Sequence, residues 1–105
     1  MKQIGLFVNT TKPEAIACTE KAARILRSKG MNCCAAPEVV RLFTDGGESF
    51  VEQIEYDDFD KYADIVVSFG GDGTMLAAAK RFLASELPLM GVNLGRLGFL
   101  AEFSV

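Results

Sequence analysis

Two segments of this chain hold residues whose types and spacing suit phosphate chemistry. The first is Gly70-Gly71-Asp72-Gly73-Thr74, between a β-branched apolar run at 65–69 (IVVSF) and residues of helical periodicity. Glycines let a backbone adopt positive φ and come close to a ligand. A loop at the carboxyl end of a parallel strand is where open α/β sheets bind ligands. The helix N-terminus after it offers N–H groups and the positive end of a dipole, so phosphate is the expected guest. Asp72 is then the informative residue. A carboxylate beside phosphates is repelled unless a cation bridges them or the carboxylate handles a proton. It points to a base for a hydroxyl nucleophile, or a partner of Mg²⁺, in phosphoryl transfer. The plain alternative is a tight turn with Asp72 capping the helix and nothing bound. Two glycines before the Asp, one after it and a Thr, all at a strand end, favour the functional reading. Thr74 reads equally as a cap or as a ligand contact.

The second segment is Asn93-Leu94-Gly95-Arg96-Leu97-Gly98-Phe99-Leu100, again after an apolar strand, residues 87–92 (LPLMGV). Both loops should open on one edge of the sheet. Gly95 and Gly98 permit a winding backbone, Arg96 could clamp a phosphate through two parallel hydrogen bonds, and Phe99 could cover a flat ring. Taken alone, Leu97, Phe99 and Leu100 read better as a linker packed on the core. Asn9 and Lys12, after the first strand, form a third loop on that edge; Lys12 reads first as a surface lysine and second as a phosphate contact.

The elements that must position these loops alternate strand and helix. Residues 4–9 (IGLFVN) form an apolar run, as a strand covered on both faces shows. Thr11-Lys12-Pro13-Glu14 matches a capping box with proline in the first turn. The spacing predicts a helix to about Lys29, with Ala15, Cys18, Ala22, Ile25 and Leu26 inward, Glu20, Lys21, Arg24 and Arg27 outward, and Gly30 closing it. Residues 31–36 form a second strand ended by Pro37. PEVVRLF from Pro37 is a helical turn or part of a loop, and Asp45-Gly46-Gly47 signals a turn. Met75, Leu76, Ala79, Phe82 and Leu83 mark an amphipathic helix with Lys80 and Arg81 opposite. The order β-α-β-(α)-β-α-β implies a Rossmann-like α/β fold, a parallel sheet with helices on both faces. Residues 1–105 read as a single α/β nucleotide-binding domain.

Composition sets the limits. The chain has 105 residues, 50% of them hydrophobic, with 11 Lys plus Arg, 14 Asp plus Glu and a formal charge of −3. That suffices for one domain with a core and excludes global disorder. The mild acidity leaves no basic footprint for nucleic acid or an anionic membrane, and no run approaches the ~20 apolar residues of a span. With no histidine, triads and zinc sites built on it are excluded within this chain. Cys18, Cys33 and Cys34 are neither a disulfide framework nor a C-x-x-C motif, and fit thiols in a reducing cytoplasm. Residues 45–60 hold seven acidic residues and no basic one, read as a solvated surface and not a metal site. The N-terminus reads as a first strand and not a signal peptide.

Gly70-Gly71-Asp72-Gly73-Thr74-Met75-Leu76, together with Gly91-Val92-Asn93-Leu94-Gly95-Arg96-Leu97-Gly98-Phe99-Leu100, resembles NAD kinases. GGDGT alone is shared with diacylglycerol and sphingosine kinases, and phosphofructokinases have a similar GGDGS; the second motif separates NAD kinases from the lipid enzymes. The resemblance implies a cytoplasmic transferase moving a phosphoryl group from ATP, or from inorganic polyphosphate, to the 2′-hydroxyl of the adenosine ribose of NAD, giving NADP. It implies Asp72 as the base, Gly71 and Gly73 on the phosphate side, and Leu76, Asn93 and Phe99 holding the dinucleotide. Mg²⁺ is implied by the charge of the donor phosphates, and a homo-oligomer is expected of the full-length protein. NAD kinases are longer and continue into a β-rich domain that is not present here. The expectation is therefore an N-terminal domain that folds but, alone, has little or no kinase activity. The competing readings are a lipid-kinase-like domain and a non-catalytic nucleotide-binding module.

Overall fold

In the computed structural model, which describes residues 2–43 and 50–94 and the backbone of residues 99–103, the chain builds one six-stranded sheet. The strands are β1 (Gln3–Val8), β2 (Asn32–Ala35), β3 (Glu52–Gln53), β4 (Ile65–Gly70), β5 (Leu89–Asn93) and β6 (Phe99–Phe103). They stand in the order β3-β2-β1-β4-β5-β6, with β1 to β5 all parallel and β6 antiparallel to β5. This is the strand order of the doubly wound dinucleotide-binding fold, whose connection reverses direction between β1 and β4. The parallel sheet expected from the sequence is present, and the antiparallel edge strand β6 is an addition at the residues that read as a packed linker. Only five residues separate the end of β5 at Asn93 from the start of β6 at Phe99, too short a connection for the crossover a parallel pair needs.

Helices cover both faces. The helices α1 (Pro13–Ser28), α2 (Pro37–Val40), α3 (Phe59–Tyr62) and α4 (Asp72–Arg81) alternate with the strands. On one face Ile4, Leu6 and Val8 of β1 and Cys33 and Ala35 of β2 pack with Ala15 and Ala23 of α1 and with Val39 and Val40 of α2. On the other, Cys34 and Val66 pack with Phe59 of α3 and with Ala78 and Phe82 beside α4. Phe59 and Phe82 stack there with centroids 5.4 Å apart. A Cβ on Gly5 would stand 2.7 Å from the Phe59 ring, so this core closes directly on β1 backbone.

Three local expectations need correction. The capping box does not form: the N-cap of α1 is Lys12, with no side-chain cap, and Thr11 bonds back to Asn9 instead. The buried face of α1 is Ala15, Thr19, Glu20 and Ala23, whereas Ile25 is exposed. Small residues at i, i+4 and i+8 let the helix lie close on the sheet, and this turns Ile25 outward. On α4 and just after it, Leu76 and Leu83 are exposed, and Ala78 and Phe82 are the buried pair. The end of α1 is as expected: Gly30 has φ +84°, its N–H reaches Arg27 O, and Met31 N–H reaches Leu26 O, the Schellman pattern. PEVVRLF is helical at its start, as α2. Residues Asp45, Gly46 and Gly47 lie outside the described residues. Further on, Asp57 pairs with Arg81 at 2.7 Å and Asp58 with Lys61 at 3.4 Å, so part of the acidic segment is surface ion pairing.

Candidate functional site

The fold brings three strand ends together. Phe69 of β4 is in register with Val8 of β1 and with Val92 of β5, and Gly70 faces Asn93. Asn9 N–H donates to Phe69 O at 2.9 Å, which ties the loop after β1 to the end of β4. The loops after β1 and β4 therefore flank the point where strand order reverses, the position at which doubly wound sheets bind ligands.

Each loop is shaped by its own residues. Asn9 Oδ1 accepts from Thr11 N–H at 3.0 Å and from Thr11 Oγ1 at 2.6 Å. This turn brings Lys12 over the second loop, where its Nζ would lie 3.8 Å from a Cβ on Gly71. In the second loop Gly71 is the N-cap of α4 and Asp72 its first residue. Gly71 O accepts from Thr74 N–H and Met75 N–H at 3.1 and 3.2 Å. Gly70 is needed because a Cβ there would run into Thr74 Oγ1 and lie 2.8 Å from Thr74 Cβ and 3.0 Å from Asn9 Cβ. The expected positive φ does not occur: among the described glycines only Gly30 has it. Gly70 serves close approach, and Gly73 opens on unfilled space.

Two clefts meet at this loop. One, about 390 Å³, is largely apolar; Met75, Leu76, Ala79, Leu89 and Val92 form its walls, and Ser68 and Gly91 line it beside them. The other, about 570 Å³, is the more polar of the two, with Asn9, Thr10, Lys12, Gly73 and Thr74 along it and Phe7, Val8 and Ala77 beside them. Gly71 and Asp72 line both. Asp72 follows the N-cap residue of α4, and its Oδ1 accepts a 2.5 Å hydrogen bond from Asn93 Nδ2. The N-cap position of α4 is thus held by Gly71, with Asp72 and Thr74 inside the first turn. A carboxylate on the wall between an apolar cleft and an anion-attracting one suits proton transfer from a hydroxyl group held between them.

The structure thus gathers Asp72, Gly71, Leu76 and Asn93 at the apolar cleft, and Asn9, Lys12, Gly73 and Thr74 at the polar one. Arg96 lies outside the described residues, and of Phe99 only the backbone is described, as the first residue of β6. Sequence reasoning gave no role to Ser68 or to the cleft position of Gly91. Gly91 was the readable one, because a glycine inside a strand pattern marks close approach of another group.

Fold and site together define a doubly wound α/β domain with a carboxylate at the glycine-rich junction of β4 and α4. The chain belongs to the ATP-NAD kinase family, matching its N-terminal domain over residues 4–105. It is 31% identical to the NAD kinase of Geotalea daltonii over 105 residues, 100% of this chain and 35% of that protein. It is 35% identical to the NAD kinase of Chloroherpeton thalassium over 103 residues, 96% of this chain and 33% of that protein. The chain thus spans about a third of the length of these relatives. The crystal structure of yeast NADH kinase complexed with NADH shares the fold, with a TM-score of 0.74 at 20% identity, over 99% of this chain and 32% of that one. Among the described residues no helix is long and apolar enough to cross a membrane.

Proposed function

We propose that this chain is the nucleotide-binding half of an NAD kinase. The reaction is transfer of a phosphoryl group from ATP, or from inorganic polyphosphate, to the 2′-hydroxyl of the adenosine ribose of NAD, giving NADP. The observation that carries this reading is Asp72 standing on the wall shared by the two clefts. The apolar cleft suits a flat ring against Leu76, Met75 and Val92. The polar cleft suits phosphates, met by Lys12, by the N–H groups of the first turn of α4 and by its dipole. Asp72 then takes the proton of the ribose hydroxyl as its oxygen attacks the terminal donor phosphorus, and the bond to the leaving phosphate breaks. Arg96 and Phe99 belong to the same assignment, as phosphate clamp and ring cover.

Mg²⁺ fits as a companion of the donor phosphates. No cluster of three or more His, Cys, Asp or Glu among the described residues forms a metal cage, and Asp72 is the one carboxylate among the described residues lining either cleft. Magnesium commonly uses one carboxylate plus substrate phosphates, and would here neutralise charge on the transferred group. Residue Asp72 would face it, and this chain's own part remains orientation and proton removal.

The remaining two-thirds of such a protein, a β-rich domain in this reading, would complete the acceptor side and carry homo-oligomer contacts. Orientation of two reactants can supply roughly 7–11 kcal/mol of a barrier. The 105-residue chain alone is therefore expected to be nearly silent. The test is NADP formation from ATP, Mg²⁺ and NAD by this chain and by its full natural reading frame, side by side. Activity confined to the longer form supports the reading. No NADP from either moves a lipid-kinase or non-catalytic role to the front.

A further inference from the structure

We infer that Asn93 is a positioning residue for Asp72, acting through the carboxylate and not only as part of the cleft wall; this rests on Asp72 as the base. Asn93 Nδ2 donates to Asp72 Oδ1 at 2.5 Å. At that separation only the nitrogen end of the carboxamide can face the carboxylate, since two acceptor oxygens would repel. The two partners differ in how firmly they are held. Asp72 is an exposed side chain on the first turn of α4, with rotatable bonds of its own. Asn93 is the last residue of β5, in register with Gly70 on one side and Phe99 on the other. A strand residue gripped between two neighbours thus holds a helix-end carboxylate through a charge-assisted hydrogen bond. Preorganisation of a reacting group requires such support from a rigid element. The donor is also neutral. A lysine here would weaken the base with a full opposite charge, whereas a neutral carboxamide fixes its direction at a smaller cost in basicity.

The geometry assigns a job to the sheet register. The β4–β5 ladder runs over five pairs and ends at Gly70–Asn93, so the positioning group arrives at the site two residues from the carboxylate it serves. Sliding β5 by one residue would turn the Asn93 side chain to the opposite face.

The test uses the full-length protein. Asn93→Ala lowers kcat by about 10- to 100-fold with KM for both substrates within about twofold, the pattern of an interaction that acts on the reacting group. The near-isosteric Asn93→Asp keeps the shape but sets two carboxylates against each other. Its kcat falls further, and the acid limb of its pH–rate profile moves up by about one unit or more, because two carboxylates this close cannot both be ionised. In Asn93→Ala, which adds no charge, loss of the donor to the carboxylate should also raise that limb, whereas loss of a merely structural residue would leave it in place. The decisive variant exchanges the pair, Asp72→Asn with Asn93→Asp. Thermal unfolding then returns to within about 1 °C of the parent, from a value several degrees lower in Asn93→Asp alone, while turnover stays lost. Variants that raise KM and leave kcat intact would overturn the inference and make Asn93 a direct ligand contact. So would an exchange that restores no stability. The thermal cycle needs no substrate, so it still reads the pair if the NAD kinase assignment itself fails.

Discussion

A Cβ built on Gly91 would stand 2.7 Å from Met75 Sδ, so the thioether of α4 rests on bare β5 backbone at the apolar cleft. Ser68 Oγ reaches the same sulfur at 3.3 Å from β4. These three residues set the depth of the cleft. Gly91→Ala should force the flexible Met75 side chain outward, at a stability cost of about 1 kcal/mol or less because the clashing atom can swing away. Its effect on ligand should be larger, since the displaced thioether enters the space assigned to the ring. The expected outcome is a several-fold weaker nucleotide affinity by titration with a nearly unchanged urea midpoint. Unchanged affinity would show that no ring occupies this cleft.

Gly70 is a different case, because its neighbours cannot move away. Thr74 lies in the first turn of α4, and Asn9 Cβ belongs to a loop pinned by the Asn9 N–H to Phe69 O bond. Gly70→Ala should cost about 1–3 kcal/mol, in the range of overpacking. Adding Thr74→Ala should recover only part, since the Thr74 Cβ at 2.8 Å remains. Chemical denaturation of the two single variants and the double variant reads the coupling directly. Additive losses would mean that this contact does not shape the loop.

Asp72 and Lys12 should separate in kinetics. Asp72→Asn, in the full-length protein, should lower kcat by at least about 10²-fold, the usual worth of a general base, with the fold intact by circular dichroism. Lys12→Met should raise the KM for the phosphoryl donor by about tenfold and leave the KM for NAD within twofold. Its ammonium lies over Gly71 in the polar cleft and does not line the apolar one. An equal rise in both constants would place Lys12 outside the donor path.

The parts of this design that were legible in the sequence are those set by local chemistry. The apolar runs of β1 and β4, the Schellman end at Gly30 and the strand–GGDGT–helix junction each follow from a handful of adjacent residues. The edge strand β6 does not, because its residues read as a linker packed on the core and only pairing with β5 makes them a strand. Nor was β3 visible, since two exposed residues, Glu52 and Gln53, carry no pattern. Helix rotation misled for a physical reason: hydrophobicity favours Ile25 inward, but close helix–sheet packing selects Ala15, Thr19 and Ala23. At the site the motif named Asp72, whereas its partner Asn93, 21 residues away, is brought to it by strand register alone.

The adjacent cysteines of β2 give the last prediction. Cys33 faces the α1 side of the sheet and Cys34 the α3–α4 side. Burial pushes the Cys33 thiol up from 9.0 to about 11. It pushes Cys34 to about 12, where nearby charge on Cys33 and Glu52 adds to burial and a hydrogen bond with Gln3 opposes it. Both thiols are therefore held neutral in the folded chain at a pH where the unfolded chain has begun to ionise them. Between the unfolded and folded values the native state binds more protons, so stability falls as pH rises. The contribution is whole below pH 9 and is lost progressively above it. Urea midpoints measured from pH 8 to 10 should decline, and Cys33→Ala with Cys34→Ala should flatten the slope. At neutral pH a thiol reagent should modify the half-buried Cys18 first and reach Cys33 and Cys34 only on unfolding, since the thiolate is the reactive form. Rapid labelling of all three in the native protein would show that the sheet opens around β2 far more readily than its buried side chains imply.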